Sequence, residues 1–251
     1  MEKKKYLNFE GITISSRDYG EYDKIFNILT EDEGVVTCIL KRIKKTNQNY
    51  DSIDIFQKME FKASARENLW LIYEAKNKYS WFERPINLNK LISSNIIAEL
   101  CIKVNSINEN NRYVYNLINI CLYLIAENHI IFSLIYFQIK ILLSEGIFPE
   151  LNNCLICKNE LTPLNYYLVF ENGGLICSEC MTVKNNRILL SENEIRFLKY
   201  LSKNEILNVS KINAKLLENA DIQLYKKLSE YIKYHTNQEL KSEKIFFSSL
   251  N

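Results

Sequence analysis

The chain has 251 residues, of which 47% are hydrophobic and 25% are charged. This composition is typical of a globular protein. The formal net charge is only +2, so a nucleic-acid surface must be a local patch and cannot be inferred from overall charge.

Residues 1–80 carry the pattern of a small all-β domain. Five runs rich in Ile, Val, Phe and Tyr are separated by polar turn signals, as strands are. The five predicted strands are Tyr6–Ile14, Lys24–Leu29, Val35–Lys41, Ile53–Lys62 and Leu69–Tyr73. So many short strands favour an OB-fold β-barrel, although a five-stranded sheet of another topology fits the same pattern.

After residue 88 the apolar residues recur with the period of a helix. The predicted helices are 91–104, 112–126, 130–145, a helix that starts at the Ser191–Glu194 capping box, and 221–234.

The apolar stretch 114–143 does not predict a membrane span. Polar residues at 127–129 and Lys140 interrupt it, and neither part reaches the roughly 18 apolar residues that a span requires. The chain also begins with charged residues and no apolar signal run. These observations indicate no membrane association and favour a cytoplasmic protein.

Four cysteines follow the spacing of a metal site. Cys154 and Cys157 form one C-x2-C pair, and nineteen residues later Cys177 and Cys180 form another. Two such turns can supply the tetrahedral thiolate shell that Zn²⁺ prefers, with no position open to substrate. We therefore expect one structural zinc ion in a zinc ribbon. The alternative, two disulfides in a secreted domain, fits poorly with the charged N-terminus.

The predicted fold is an α+β multidomain protein. Residues 1–80 form the OB-fold, and residues 81–150 and 183–251 form two parts of a helical domain. The ribbon, residues 151–182, is inserted between those two parts because the helices before and after it are expected to pack together.

Several short motifs accompany this order of parts. The most specific string is Arg17–Glu21, which reads RDYGE. The other motif segments are Gly11–Ile14, Asp23–Ile25, Leu29–Thr30, Gly34, Phe137–Leu143, Gly146, Pro149–Leu151, Gly173–Cys180, Tyr231–His235 and Leu240–Ser242. With these motifs, the chain resembles the RecO family of bacterial recombination mediators over essentially its full length.

The resemblance implies a protein that binds single- and double-stranded DNA and anneals complementary strands. It implies RecR and the C-terminal tail of single-strand-binding protein as partners, with RecF and RecA as indirect ones. Such a protein helps RecA load onto coated strands during DNA repair and recombination, at the nucleoid. It is not an enzyme.

The basic residues Lys41, Arg42, Lys44 and Lys45 are the first candidates for DNA contact. Four cations in five residues can neutralise phosphates, and the resemblance favours this role over that of a solvated loop. Many relatives carry a glycine in this stretch, which this chain lacks. Arg17 and Lys24 are second-rank candidates, because they also fit a hairpin turn with local ion pairs. Aromatic residues that could stack on bases are Phe9, Tyr22 and Tyr50.

Lys140 is the candidate for partner binding. It lies in the apolar helix 130–145, where a basic side chain beside an apolar pocket would suit a tail that ends in a hydrophobic residue and a carboxylate. A core helix with Lys140 reaching outward is the equal alternative.

Two other function classes remain open. One is a zinc-ribbon scaffold that binds only proteins. The other, a zinc-stabilised enzyme such as a nicotinamide-dependent deacylase, requires a glycine-rich phosphate loop. The one Gly-Gly pair, at 173–174, fits a ribbon turn instead, which disfavours the enzyme.

Overall fold

The computed structural model describes residues 6–41, 53–65, 69–103, 111–160, 166–182, 186–206 and 214–249. The strands are β1 Tyr6–Tyr19, β2 Asp23–Thr30, β3 Gly34–Leu40, β4 Gln57–Ser64, β5 Trp70–Ser80, β6 Tyr166–Val169, β7 Gly174–Cys177 and β8 Arg187–Leu190. The helices are α1 Leu88–Lys103, α2 Asn111–Ala126, α3 Ile130–Ser144, α4 Glu192–Lys203, α5 Ala214–Glu218, α6 Ile222–Thr236 and α7 Lys241–Ser249.

Strands β1 to β5 close into a barrel in the order β1-β2-β3-β5-β4. β3 and β5 pair in parallel, whereas the other neighbours are antiparallel. This order and the single parallel pair are those of an OB-fold, which confirms the predicted fold class and resolves the topology that the sequence left open.

Strand β1 serves two neighbours, which explains its length. Its first half pairs with β4 and its second half with β2, and the register shifts between Thr13 and Ser15. Such a bulge bends a strand and lets it turn a barrel corner. Gly11 allows β1 and β2 to approach, because a Cβ there would stand 2.9 Å from the Leu29 carbonyl oxygen.

The barrel interior is a cluster of buried, mostly branched or aromatic side chains. Its members are Phe26, Ile28, Val36, Cys38, Leu40, Ile53, Met59, Phe61, Ile72 and Ala75. Phe9 stacks on Phe61 with ring centroids 5.2 Å apart and meets Trp70 edge-on at 5.2 Å. Burial of this area stabilises the barrel at about 25 cal/mol per Å².

The contacts divide the chain into two compact units. The first comprises residues 1–126 and 240–251, and the second comprises residues 127–239. Helices α1, α2 and α7 therefore belong with the barrel, and α1 packs against α7. The predicted domain boundaries stay a sequence prediction, and the compact units divide the predicted helical domain differently.

In the second unit, helix α3 packs against α4 and α6. The ribbon strands lie between α3 and α4 in the chain and form a sheet in the order β7-β6-β8. The ribbon is thus inserted between helices that pack together, as predicted. Ser191 caps α4 by accepting a hydrogen bond from the Glu194 backbone, so the predicted capping box is present.

Among the residues that the structure describes, no helix combines the length and apolar character needed to cross a membrane.

Candidate metal centre and nucleic-acid interface

The first cysteine pair lies in a tight knuckle at residues 153–160. The Cys154 amide donates to the Asn159 carbonyl at 3.0 Å, and the Lys158 amide donates to the Cys154 carbonyl at 3.0 Å. Lys158 adopts a left-handed conformation, with φ of 62°. These bonds fold the chain back on itself, so that both sulfurs point to one side.

The second pair ends the β6–β7 hairpin. Cys177 is the last residue of β7, and the 3-10 turn Ser178–Cys180 follows it. Gly174 lets the two knuckles approach, because a Cβ there would lie 2.9 Å from Leu155 Cδ1 and 3.1 Å from the Glu150 carbonyl oxygen. The backbone bond from the Leu155 amide to the Leu175 carbonyl, at 2.8 Å, joins the two halves.

The four sulfur atoms of Cys154, Cys157, Cys177 and Cys180 lie within 4.8 Å of one another. A tetrahedral zinc–thiolate centre, with Zn–S distances of about 2.3 Å, needs sulfurs about 3.8 Å apart. Small movements would bring this set to that geometry, and the sulfurs present fit a metal ion. All four ligands come from the protein, so the ion would hold two chain segments together and leave no position for substrate.

The local hydrogen bonds change the pKa values of the clustered thiols in opposite directions. Burial disfavours the Cys154 thiolate, but backbone amides of Cys177, Cys157 and Ile156 outweigh it and lower its pKa to about 6. The Cys177 amide donates to Cys154 Sγ at 3.5 Å. The pKa of Cys180 rises to about 12, mainly because its thiol hydrogen-bonds to Cys177. Metal binding would remove such protons, because thiolates are the ligating form.

The other three cysteines, at positions 38, 101 and 121, are buried free thiols. Burial raises the pKa of Cys38 and of Cys101 to about 12. Both remain protonated core residues at neutral pH.

Three of the basic candidates, Arg17, Lys24 and Lys41, lie at one end of β1, β2 and β3. Arg17 lies opposite Ile25 in the β1–β2 pairing, and Lys24 lies opposite both Asp18 and Leu40. Lys41 follows Leu40 at once and is exposed. Arg42, Lys44 and Lys45 lie outside the described residues, so their role in DNA contact stays a prediction.

The structure distinguishes among the aromatic residues predicted to stack on bases. Phe9 is half-buried against Phe61 and Trp70 and belongs to the barrel packing. Tyr22 donates a hydrogen bond to the Glu21 carboxylate, which raises the pKa of Tyr22. Tyr50 lies outside the described residues. Sequence reasoning missed Tyr19, which is 52% exposed beside Gly20 at the hairpin tip; its place before a turn glycine was the available signal.

Lys140 is not the exposed cation that the sequence suggested. Its side chain is 1% exposed, and its ammonium lies 2.9 Å from Glu205 Oε1. It also donates to the Asn204 carbonyl at 3.0 Å. The helical pattern could not reveal this pairing because Glu205 is 65 residues away in sequence. A role for Lys140 in partner binding stays a prediction, but direct contact would require a ligand to displace Glu205.

An open groove of about 420 Å³ in the second unit was also missed. Leu143 and Phe148 supply apolar surface, and Lys199 and Lys203 on α4 supply positive charge. Residues 149–152 and Gly173 form another wall, which includes one acidic residue, Glu150. Among the described residues, neither lysine is in an ion pair. The groove combines segments distant in sequence, which no local pattern could bring together.

Two family models together match nearly the whole chain. A family model described as "Recombination protein O N terminal" matches residues 1–81, and one described as "Recombination protein O C terminal" matches residues 87–244.

Curated relatives named "DNA repair protein RecO" are similar along most of their length. That of Desulforamulus reducens is 26% identical over 239 residues, which cover 95% of this chain and 93% of the relative. That of Clostridium perfringens is 28% identical over 222 residues, with coverages of 86% and 87%. That of Clostridium kluyveri is 27% identical over 234 residues, with coverages of 92% and 89%.

Proposed function

The chain belongs to the recombination protein O family, whose curated members are DNA repair proteins, and on that premise we propose that it is a recombination mediator. It binds single- and double-stranded DNA and anneals complementary strands. With RecR it helps load RecA onto strands coated by single-strand-binding protein. It performs no catalysis of its own.

The observation that carries this proposal is the basic end of the closed barrel. OB-folds bind oligonucleotides with their β2–β3 face and adjoining loops, and Lys24 and Lys41 lie where those two strands meet. Arg42, Lys44 and Lys45 continue the positive run in sequence. The contacts are to phosphates, so binding is independent of base sequence and falls with salt.

Arg17 and Lys24 rank below that run for an electrostatic reason. Residues 17–24 contain two basic and three acidic side chains, so the hairpin has a formal charge of 2 − 3 = −1. It can place the exposed Tyr19 ring against a base, since stacking tolerates any base, but it attracts phosphates weakly.

The groove in the second unit is the proposed docking site for the tail of single-strand-binding protein. Leu143 and Phe148 would cover the hydrophobic end of the tail, while Lys199 and Lys203 would face its carboxylates. In this proposal the predicted partner binds the helical unit at a groove that Lys140 itself does not line.

Zinc is the proposed occupant of the four-cysteine centre, with a structural role. The closed set of four thiolates supports this choice over a catalytic metal, which would need an open ligand position.

Strand annealing in the presence and absence of the cognate single-strand-binding protein tests the function. We expect the protein to anneal complementary oligonucleotides whether they are bare or coated. A protein that binds the tail peptide but neither binds nor anneals DNA would be a scaffold, and the mediator proposal would be wrong.

A further inference from the structure

A partly buried polar clamp joins helix α3 to the end of helix α4. Lys140 donates to the Asn204 carbonyl and to Glu205 Oε1, at 3.0 and 2.9 Å. One turn earlier on α3, the Tyr136 hydroxyl donates to Glu205 Oε2 at 3.1 Å and accepts from the Ile206 amide at 3.0 Å. Four hydrogen bonds therefore fix the three residues that follow α4.

Packing alone does not require a lysine at this place. Lys140 is among the largest fully buried side chains, in a helix whose other buried residues are mostly apolar. A methionine of similar length would fill the same space without taking an ammonium out of water, which is costly. The Glu205 side chain is 51% exposed, so only the lysine end of the pair is buried. The best-attested use of a charged group buried in this way is to select one arrangement of packed elements, which points to a positioning role.

The clamp fixes the part of α4 that faces the groove. Lys199, Ser202 and Lys203 line the groove, and Lys203 is the residue directly before Asn204. Asn204 also donates its backbone and side-chain N–H groups to the Tyr200 carbonyl, at 3.1 and 2.8 Å. A shift of residues 204–205 would therefore be passed to the turn that carries both lysines.

We propose that Lys140 and Glu205 are positioning residues for the groove: they hold Lys199 and Lys203 at the spacing that an acidic peptide requires, without touching the peptide. This inference rests on the proposed docking of the tail at the groove. Lys140 then affects partner binding, as the sequence suggested, but acts through α4.

The chain offers a matched control at the other end of the same helix. Lys227 on α6 forms an ion pair of 2.6 Å with Glu194 in the first turn of α4, and both side chains are largely shielded from solvent. Loss of Lys227 removes an ion pair at the start of α4, whereas loss of Lys140 removes one directly after its end. Only the second of these ends lines the groove.

The experiment measures the affinity of the full chain for a fluorescently labelled peptide carrying the tail of the cognate single-strand-binding protein, as a function of salt. The variants are Lys140→Met, Lys227→Met, Lys203→Ala and the double variant Lys140→Met/Lys203→Ala. Circular dichroism and metal content show whether each variant is folded.

Lys140→Met should weaken binding by about tenfold and flatten its salt dependence, whereas Lys227→Met should stay within about twofold of wild type. Adding Lys203→Ala to Lys140→Met should cost little more, because the second lysine is already misplaced. A purely structural role would leave the salt dependence unchanged.

The outcomes separate the two proposals. If Lys203→Ala weakens binding but Lys140→Met does not, the docking site stands and the positioning role is wrong. Equal losses in Lys140→Met and Lys227→Met would show general loosening of α4 and would also overturn it. If the wild-type chain does not bind the peptide, the docking proposal fails and there is nothing for the pair to position.

Discussion

The barrel and the ribbon use different means to hold short strands together. The barrel strands have seven to fourteen residues and close around a continuous apolar interior. The ribbon strands have four residues each, and the sheet lies beside four clustered thiols. Small modules that bury little apolar area commonly need a metal or disulfides. The barrel should therefore be independent of metal, and the ribbon should depend on it.

The largest expected effect comes from removal of one metal ligand. Cys177→Ser should abolish stoichiometric metal binding and unfold the ribbon locally, because a structural zinc contributes on the order of 10 kcal/mol to its module. Elemental analysis of protein purified without chelators, together with limited proteolysis of residues 150–182, measures both effects. Cys101→Ala, at a buried thiol outside the cluster, is the control and should keep its metal. A wild-type protein with reduced thiols and no zinc would refute the proposed metal centre.

The next largest effect is expected from a core substitution that destabilises the barrel and leaves the ribbon intact. Phe61 is 1% exposed and stacks on Phe9. Phe61→Ala should therefore lower the free energy of unfolding of the barrel by about 3–5 kcal/mol. Trp70 and Trp81, the two tryptophans of the chain, both lie in the barrel unit, so urea unfolding followed by tryptophan fluorescence reports on it. Tyr19→Ala, at an exposed ring, should leave the unfolding midpoint unchanged. Zinc content should stay at wild-type level in both variants; its loss in Phe61→Ala would mean that the barrel and the ribbon are not independent.

A smaller effect concerns the helix that returns to the barrel unit. Burial disfavours the Glu99 carboxylate, but the amides of Ser242 and Lys241 at the start of α7, together with Lys103, outweigh it and lower its pKa to about 2. An unfolded glutamate has a pKa of about 4.3, so the carboxylate stabilises the fold above that pH. The contribution, about 3 kcal/mol at neutral pH, is lost as the pH falls towards 2.

Glu99→Gln should therefore lower stability at pH 7 by up to that amount and have little effect near pH 2. The difference in urea midpoint between wild type and variant, measured across this range, checks the sign. A difference that grows as the pH falls would contradict the assignment.

Much of the fold could be predicted because its signals are local. The spacing of Cys154 to Cys180, the Ser191 capping box and the strand runs all depend on neighbours in sequence. The ends of strands were harder to predict. Strand β1 continues past Ile14, where the apolar pattern stops, to Tyr19, because pairing with β2 holds polar residues in the strand. Helix α7 was not predicted, since its first turn is held by Glu99, far away in the chain.

The candidate sites likewise divide into those that local sequence predicts and those that depend on residues distant in the chain. The metal ligands follow from spacing, whereas the buried state of Lys140 depends on Glu205, and the groove combines α3, α4 and the ribbon. Hydrophobic periodicity shows that a residue lies in a helix near a core. It does not show which partner from another element neutralises a charge there.

The most direct test of DNA binding by the barrel compares two charge reversals of equal size. The barrel variant, Lys41→Glu/Arg42→Glu, changes the basic run that begins at the end of β3. The groove variant is Lys199→Glu/Lys203→Glu. Each changes the formal net charge from +2 to −2. The measurement is the affinity for an unstructured single-stranded oligonucleotide as a function of salt. We expect the barrel variant to bind more weakly and to lose about 0.7 from the log–log salt slope for each phosphate contact removed, while the groove variant keeps the wild-type slope. A barrel variant that binds as tightly as wild type near physiological salt, or equal losses in both variants, would contradict DNA binding at the basic end of the barrel.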